Sequence, residues 1–237
     1  MTSSSLPSCN ELAAQLRRFR DEEVNPAACS TLQAEELDQV SSTPPTDLTV
    51  CKDGSRSLVG RHALADGTEC VLKYYRPKNL AKKVNYRLRG SRAMRSWVSA
   101  RAFALLGIPT PAAMMIVERP GCCRLTLEES FLACHLAPGI SLSAVKDEEI
   151  LQHAATQLHR AFQTMAAYRI SHGDLKANNI IVSNDGEIRF IDLDGTTILS
   201  QNKRWTTLWE HDRNRFLRNW PHETTAHRIF SDAMPLP

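Results

Sequence analysis

An α+β chain folded as two small lobes, the first rich in strands and the second a minimal helical one, is what the sequence predicts. Three observations carry that reading. Short strand-like runs broken by turn pairs fill the first half, one long apolar helical stripe follows residue 147, and two brief apolar runs bracket a polar loop around residue 175. At 237 residues the chain can build one substantial core or two small ones.

Residues 1–45 read as an N-terminal extension and linker whose function is not legible. An amphipathic stretch around Leu12-Ala13-Ala14-Gln15-Leu16 leads into Ser41-Ser42-Thr43-Pro44-Pro45. Residues 46–136 form the first lobe. From Leu48 to Tyr75 the strand-like runs are broken at Asp53-Gly54 and Asp66-Gly67, both hairpin signals. A helix is expected over 91–106, where Met94, Trp97, Val98, Ala104 and Leu105 recur at helical spacing. Gly107 is placed to cap it, and Pro109 and Pro111 stop it from resuming. A strand pair is expected over 113–118 and 124–134, joined at Arg119-Pro120-Gly121. Strands, one helix and strands again make the lobe.

Residues 137–237 form the second lobe. Ile150, Leu151, Ala154, Ala155, Leu158, Phe162 and Met165 mark one face of a helix over about 147–168. It delivers the chain into the loop 171–179 and the apolar run Ile180-Ile181-Val182, and a turn at Asn184-Asp185-Gly186 leads to a return strand reaching Asp192.

Composition narrows the class. Apolar residues at 42% and charged residues at 23% belong to a globular chain, and exclude disordered and fibrous ones. No run approaches the ~20 apolar residues that cross a bilayer, and Met1-Thr2-Ser3-Ser4-Ser5 opens no basic-then-apolar leader, so a cytoplasmic protein is expected. The seven cysteines are odd in number and lack zinc or disulfide spacing, so reduced thiols are expected, with no role assigned to the adjacent Cys122-Cys123. Residues 71–117 hold ten basic residues and no acidic one, leaving 19 basic against 26 acidic residues elsewhere. Such a field attracts anions: nucleotide phosphates, phosphorylated glycolipid or an anionic membrane surface. No nucleic acid is expected, because regularly placed aromatics and groove-binding motifs are missing.

The polar loop collects the groups that phosphoryl transfer requires: a carboxylate beside the accepting hydroxyl, oxygen ligands for magnesium, and cations for the phosphates. Asp174 stands as the catalytic base, and Asn179, five residues on, with Asp192 as the metal ligands. Lys176 is a further catalytic candidate, placed to reach the transferring phosphate. Lys73 in Val71-Leu72-Lys73 occupies the place of a strand lysine that contacts the α- and β-phosphates of ATP. His172 reads as a brace for the loop.

Ser171-His172-Gly173-Asp174 with Asn179 and Ile191-Asp192-Leu193-Asp194 resembles the protein-kinase-like superfamily, whose lipopolysaccharide, choline, aminoglycoside and RIO-type kinases often carry Gly before the catalytic Asp. Lys73-Tyr74-Tyr75-Arg76-Pro77, Leu88-Arg89-Gly90-Ser91-Arg92-Ala93, Gly107-Ile108-Pro109-Thr110-Pro111 and the stretch from Asp212 to Trp220 resemble its lipopolysaccharide core kinases of the Kdo and heptose (WaaP/InaA) type. The resemblance covers roughly residues 48–222. It implies a two-lobed protein-kinase-like fold, ATP and Mg2+ as cofactors, a sugar or glycolipid acceptor, and a peripheral place on the cytoplasmic face of the inner membrane. Gly173 also stands where many protein kinases carry an Arg that reads a phosphorylated loop, so control of that kind is not expected.

Three departures stand out. The first hairpin holds no Gly-x-Gly-x-x-Gly, so Gly54, Ser55, Arg56 and Ser57 would cover the phosphates, with Arg56 a nucleotide contact. The helix over 91–106 contains no Glu to pair with Lys73, and Ser96 stands near that position. Only 42 residues follow Gly195, too few for a large peptide-binding subdomain. The alternatives are a compact atypical protein kinase resembling the RIO type and a pseudokinase that binds without turnover.

Overall fold

The computed structural model describes residues 6–21, 31–121 and 125–234; Cys29, Cys122, Cys123 and Arg124 fall outside that range. The chain divides into two compact units, one of Arg18–Arg101 with Pro111–Leu136, the other of Met1–Arg17, Ala102–Thr110 and Ala137–Pro237. The first is sheet-based and the second mostly helical, the two-lobed protein-kinase-like α+β class that the sequence predicts.

In chain order the helices α1 (Cys9–Asp21) and α2 (Thr31–Ser42) precede β1 (Thr49–Gly54), β2 (Ser57–Ala63) and β3 (Glu69–Tyr75). Then come α3 (Leu80–Arg89), α4 (Arg92–Leu105), β4 (Ala113–Pro120) and β5 (Leu127–His135). The five strands form one antiparallel sheet in the order β1-β2-β3-β5-β4. Side chains alternate across a strand, so Cys70, Leu72 and Tyr74 of β3 share one face and enter a core with Met114, Phe131 and Ala133.

Two features of this unit differ from expectation. The stretch expected as extension and linker supplies α2, whose Leu37 and Val40 join the sheet core. Tyr74 Oη donates to Val40 O at 2.8 Å, and Arg119 Nη1 donates to Ser41 O at 3.0 Å, so orphan carbonyls at the helix end are satisfied from the sheet. The second difference is α3, where a single helix was expected before β4. Asn79 caps it by accepting from Lys82 N at 3.0 Å, and Gly90 at φ 85° separates it from α4. Its apolar residues do not enter the core, so no inward stripe announced it. Gly107, at φ 67°, ends α4 as expected, with Ile108 N donating to Phe103 O at 2.8 Å and Gly107 N to Ala104 O at 3.2 Å, a Schellman closure.

The second unit is organised by α5 (Glu148–Ala167), with β6 (Ile140–Ser141), β7 (Ile180–Val182) and β8 (Ile188–Phe190) as a small antiparallel sheet. Asp147 caps α5, accepting from Ile150 N at 3.1 Å. The expected apolar face of α5 is buried from Leu151 to Met165, with Ile150 half-buried at its start, and Phe162 at its centre meets Phe190 edge-on at 6.1 Å. It also meets Trp209 at 6.1 Å and Phe216 at 5.7 Å, both from α6 (Asn202–Leu217). A last helix, α7 (Thr225–Ala233), packs on α5. This aromatic cluster fixes the strands and helices between which the polar loop hangs. Among the described residues no helix is long and apolar enough to cross a membrane.

Candidate active site

The loop after α5 is stitched down on both sides. Ser171 pairs with Thr197 as an isolated antiparallel bridge, with N–H to O distances of 3.0 and 2.9 Å. Gly173 follows at φ 81°, and a Cβ there would lie 2.4 Å from Gly195 O, so both the backbone and the space demand glycine. Beneath it lies Asp212 of α6, fully buried. Its carboxylate accepts from Gly173 N at 3.1 Å to each oxygen and from Ser171 Oγ at 2.8 Å. A buried charge is tolerable only when hydrogen-bonded in this way.

His172 is also fully buried. Asp174 N donates to its Nδ1 at 3.4 Å and its Nε2 stands 3.1 Å from Ile191 O, contacts that the neutral Nε2–H tautomer satisfies together. Burial holds its pKa below the ordinary imidazole value, which keeps the ring neutral. One side chain thus links the Asp174 segment to the residue before Asp192, the bracing position the sequence suggested.

Asp174 has a half-buried carboxylate held from three directions. Lys176 Nζ lies 3.2 Å from Oδ2, Asn179 Nδ2 donates to Oδ2 at 3.2 Å and to the backbone O at 2.9 Å, and Arg215 of α6 forms an ion pair with Oδ1. Asn179 is buried, and its backbone O accepts from Ile191 N at 2.9 Å, tying it to the Asp192 segment. Because its amide nitrogen is engaged by Asp174, Oδ1 is its remaining side-chain polar atom. Asp192 lies two residues beyond the end of β8, at φ 62° and ψ 52°, where a strand was expected to reach it. Aspartate tolerates this left-handed conformation better than most residues, and it turns the chain off the strand at that point. The oxygens of Asn179 and Asp192 suit a hard cation such as magnesium. Asp174, Lys176, Asn179 and Asp192 are therefore brought together in one unit.

Lys73 and Arg56 belong to the other unit. Lys73 sits mid-strand in β3, opposite Val59 of β2 and Leu132 of β5. The Cys134 thiol beside it is pushed up in pKa by burial, with the Lys73 charge opposing. Arg56 is exposed in the two-residue turn Ser55-Arg56 between β1 and β2, and its backbone O accepts from Arg76 N at 3.0 Å. The helix α4 contains no acidic residue, and Ser96 on it is buried with a hydroxyl that has no hydrogen-bond partner among the described residues.

The model of the Kdo/WaaP lipopolysaccharide kinase family matches residues 52–228. The chain belongs to that family. As a Kdo/WaaP-family protein it is a kinase, a phosphotransferase, and membership implies ATP as the phosphoryl donor and a sugar or glycolipid acceptor. No curated protein matches the chain.

Two residues of this candidate site, Asp212 and Arg215, were read from the sequence only as part of the 212–220 resemblance and were given no role in the site. For Asp212 a signal exists. Trp205, Trp209, Asp212 and Phe216 recur at spacings of four, three and four, which sets a carboxylate on the apolar face of a helix. Arg215 carries no such mark, because it lies among Arg213 and Arg218 in a run of similar charges.

Proposed function

We propose that this kinase transfers the γ-phosphoryl group of ATP to a hydroxyl of a lipopolysaccharide core sugar, and that the acceptor is the acidic sugar 3-deoxy-manno-octulosonic acid (Kdo) in preference to heptose. The observation that carries the choice is the occupancy of Asp174. A carboxylate has about four lone-pair sites. Lys176 and Asn179 both take Oδ2, whereas Oδ1 meets Arg215 alone among the described residues. The open acceptor site is thus on Oδ1, and a hydroxyl that reaches it lies beside a guanidinium. A cation in that place favours an acceptor carrying its own negative group.

In the reaction the acceptor oxygen forms a bond to the γ-phosphorus as the bond from that phosphorus to the bridging oxygen breaks. The electron pair leaves with ADP, and the hydroxyl proton passes to Asp174. Lys176 steadies the carboxylate and the transferring phosphate, while Lys73 and Arg56 hold the nucleotide phosphates. Asn179 and Asp192 would hold magnesium, which when bound neutralises charge on the phosphate oxygens. The enzyme works on the cytoplasmic face of the inner membrane, where a lipid-linked acceptor is presented.

The test is incubation with labelled ATP and deacylated lipopolysaccharide core, with casein in parallel. Label is expected in the sugar fraction, on Kdo by mass spectrometry. Label in casein alone would make the chain a protein kinase, and label on heptose would overturn the acidic acceptor. Asp174→Ala should abolish turnover while nucleotide binding persists.

A further inference from the structure

The helix α3 is mounted with its apolar side outward. Lys83 forms an ion pair with Glu128 of β5, and Arg95 of α4 lies 5.7 Å above the ring of Tyr86, so those two side chains hold the inner face. Leu80, Val84 and Leu88, at four-residue spacing, form one stripe that is 67%, 37% and 78% exposed. No residue of the helix is buried. A surface helix ordinarily turns such a stripe to the core, and its exposure marks a surface that meets something apolar.

Charge identifies what it meets. Lys82, Arg87 and Arg89 are exposed on the same helix, and the whole stretch 71–117 has no acidic residue. The stripe runs on the order of 12 Å, from eight rises of 1.5 Å, and on a helix about 10 Å across it covers on the order of 120 Å2, far short of the roughly 800 Å2 that a stable protein interface needs on each partner. A narrow leucine stripe within a basic field matches the boundary of an anionic bilayer, where a few apolar side chains enter the acyl region while cations meet headgroups.

We propose that α3 is a membrane-contact helix, seating Leu80, Val84 and Leu88 in an anionic lipid surface, with the cations of the surrounding basic segment supplying the attraction to it. The proposal does not depend on the phosphotransfer reading, because vesicle binding is measured without ATP. The full chain is sedimented with vesicles of phosphatidylcholine alone and of phosphatidylcholine with phosphatidylglycerol, at low and high salt. Binding is expected to the anionic vesicles and to weaken with salt. Leu80→Ser with Leu88→Ser should lower it at least about tenfold, with helical circular dichroism and thermal midpoint unchanged. In a separate variant, Leu88→Trp, the added indole emission should shift to the blue on the same vesicles. Equal sedimentation of the serine variant, no blue shift, or no binding by the parent chain would each overturn the proposal. A dimer in sedimentation velocity that the serine substitutions dissolve would also overturn it, assigning the stripe to a second copy of the chain.

Discussion

The guanidinium of Arg215 closes on Oδ1 of Asp174, three residues along α6 from the Asp212 carboxylate that holds the Gly173 amide. One helix therefore sets both the backbone of the loop and the charge around its carboxylate. Arg215→Gln is expected to raise KM for Kdo by about tenfold or more, and KM for a neutral sugar acceptor by less than about threefold. Arg215→Lys should recover part of the loss, since the charge returns without the planar fork. Steady-state kinetics on the two acceptors decides it; equal effects on both would remove Arg215 from acceptor selection.

Asp212 predicts a joint loss of stability and rate. Asp212→Ala leaves the Gly173 amide and the buried Ser171 hydroxyl without an acceptor, which should cost about 2–4 kcal/mol in urea unfolding. Turnover should fall more than KM changes, because the loop carrying Asp174 loses its support while the acceptor contacts remain. Asp212→Asn should fall between the two, keeping one acceptor oxygen.

Gly173→Ala should be worse for activity than for nucleotide binding. The substitution places a Cβ 2.4 Å from Gly195 O at a left-handed φ of 81°, so the loop must shift for the chain to fold at all. A loss of turnover of about a hundredfold is expected, with a lowered thermal midpoint. Single-turnover kinetics at saturating ATP separates chemistry from binding.

His172 sets a pH dependence of stability. Its folded pKa lies below the usual imidazole value of about 6.5, so protonation favours the unfolded chain. The contribution from the neutral ring is fully present above about pH 6.5 and is lost as pH falls from there toward the folded pKa. His172→Gln should be less stable than the parent at pH 8 and should lose the part of the parent's decline below pH 6.5 that this ring causes. Urea midpoints across pH 5–8 check it; parallel profiles for parent and variant would contradict it.

Tyr74 offers a check on the N-terminal helix. Burial pushes its phenol up to about 12, and its hydroxyl donates to Val40 O. Tyr74→Phe should cost about 1 kcal/mol, with α2 losing amide protection in hydrogen exchange before the sheet does.

The parts that were legible in the sequence are those with a repeating physical signature. The face of α5, the Gly107 cap and the close run from Gly173 to Asn179 each follow from periodicity, backbone freedom or compact spacing. Where a residue's place depends on a partner far along the chain, local pattern carried no trace of it. Arg215 meets Asp174 across 41 positions, and Arg119 holds the end of α2 across 78. The helix α3 was hidden for the opposite reason: its pattern exists, but it faces outward, where a search for core stripes does not look.

Gly173 and Gly195 lie back to back, and the Ser171–Thr197 pair zips the same two segments beside them. The strip that carries Asp174 and the turn that follows Asp192 are in consequence a single mechanical part. Swinging Asp192 aside would first require opening the two-glycine seam and unzipping its neighbour. Any rearrangement of that carboxylate would carry the Asp174 loop with it.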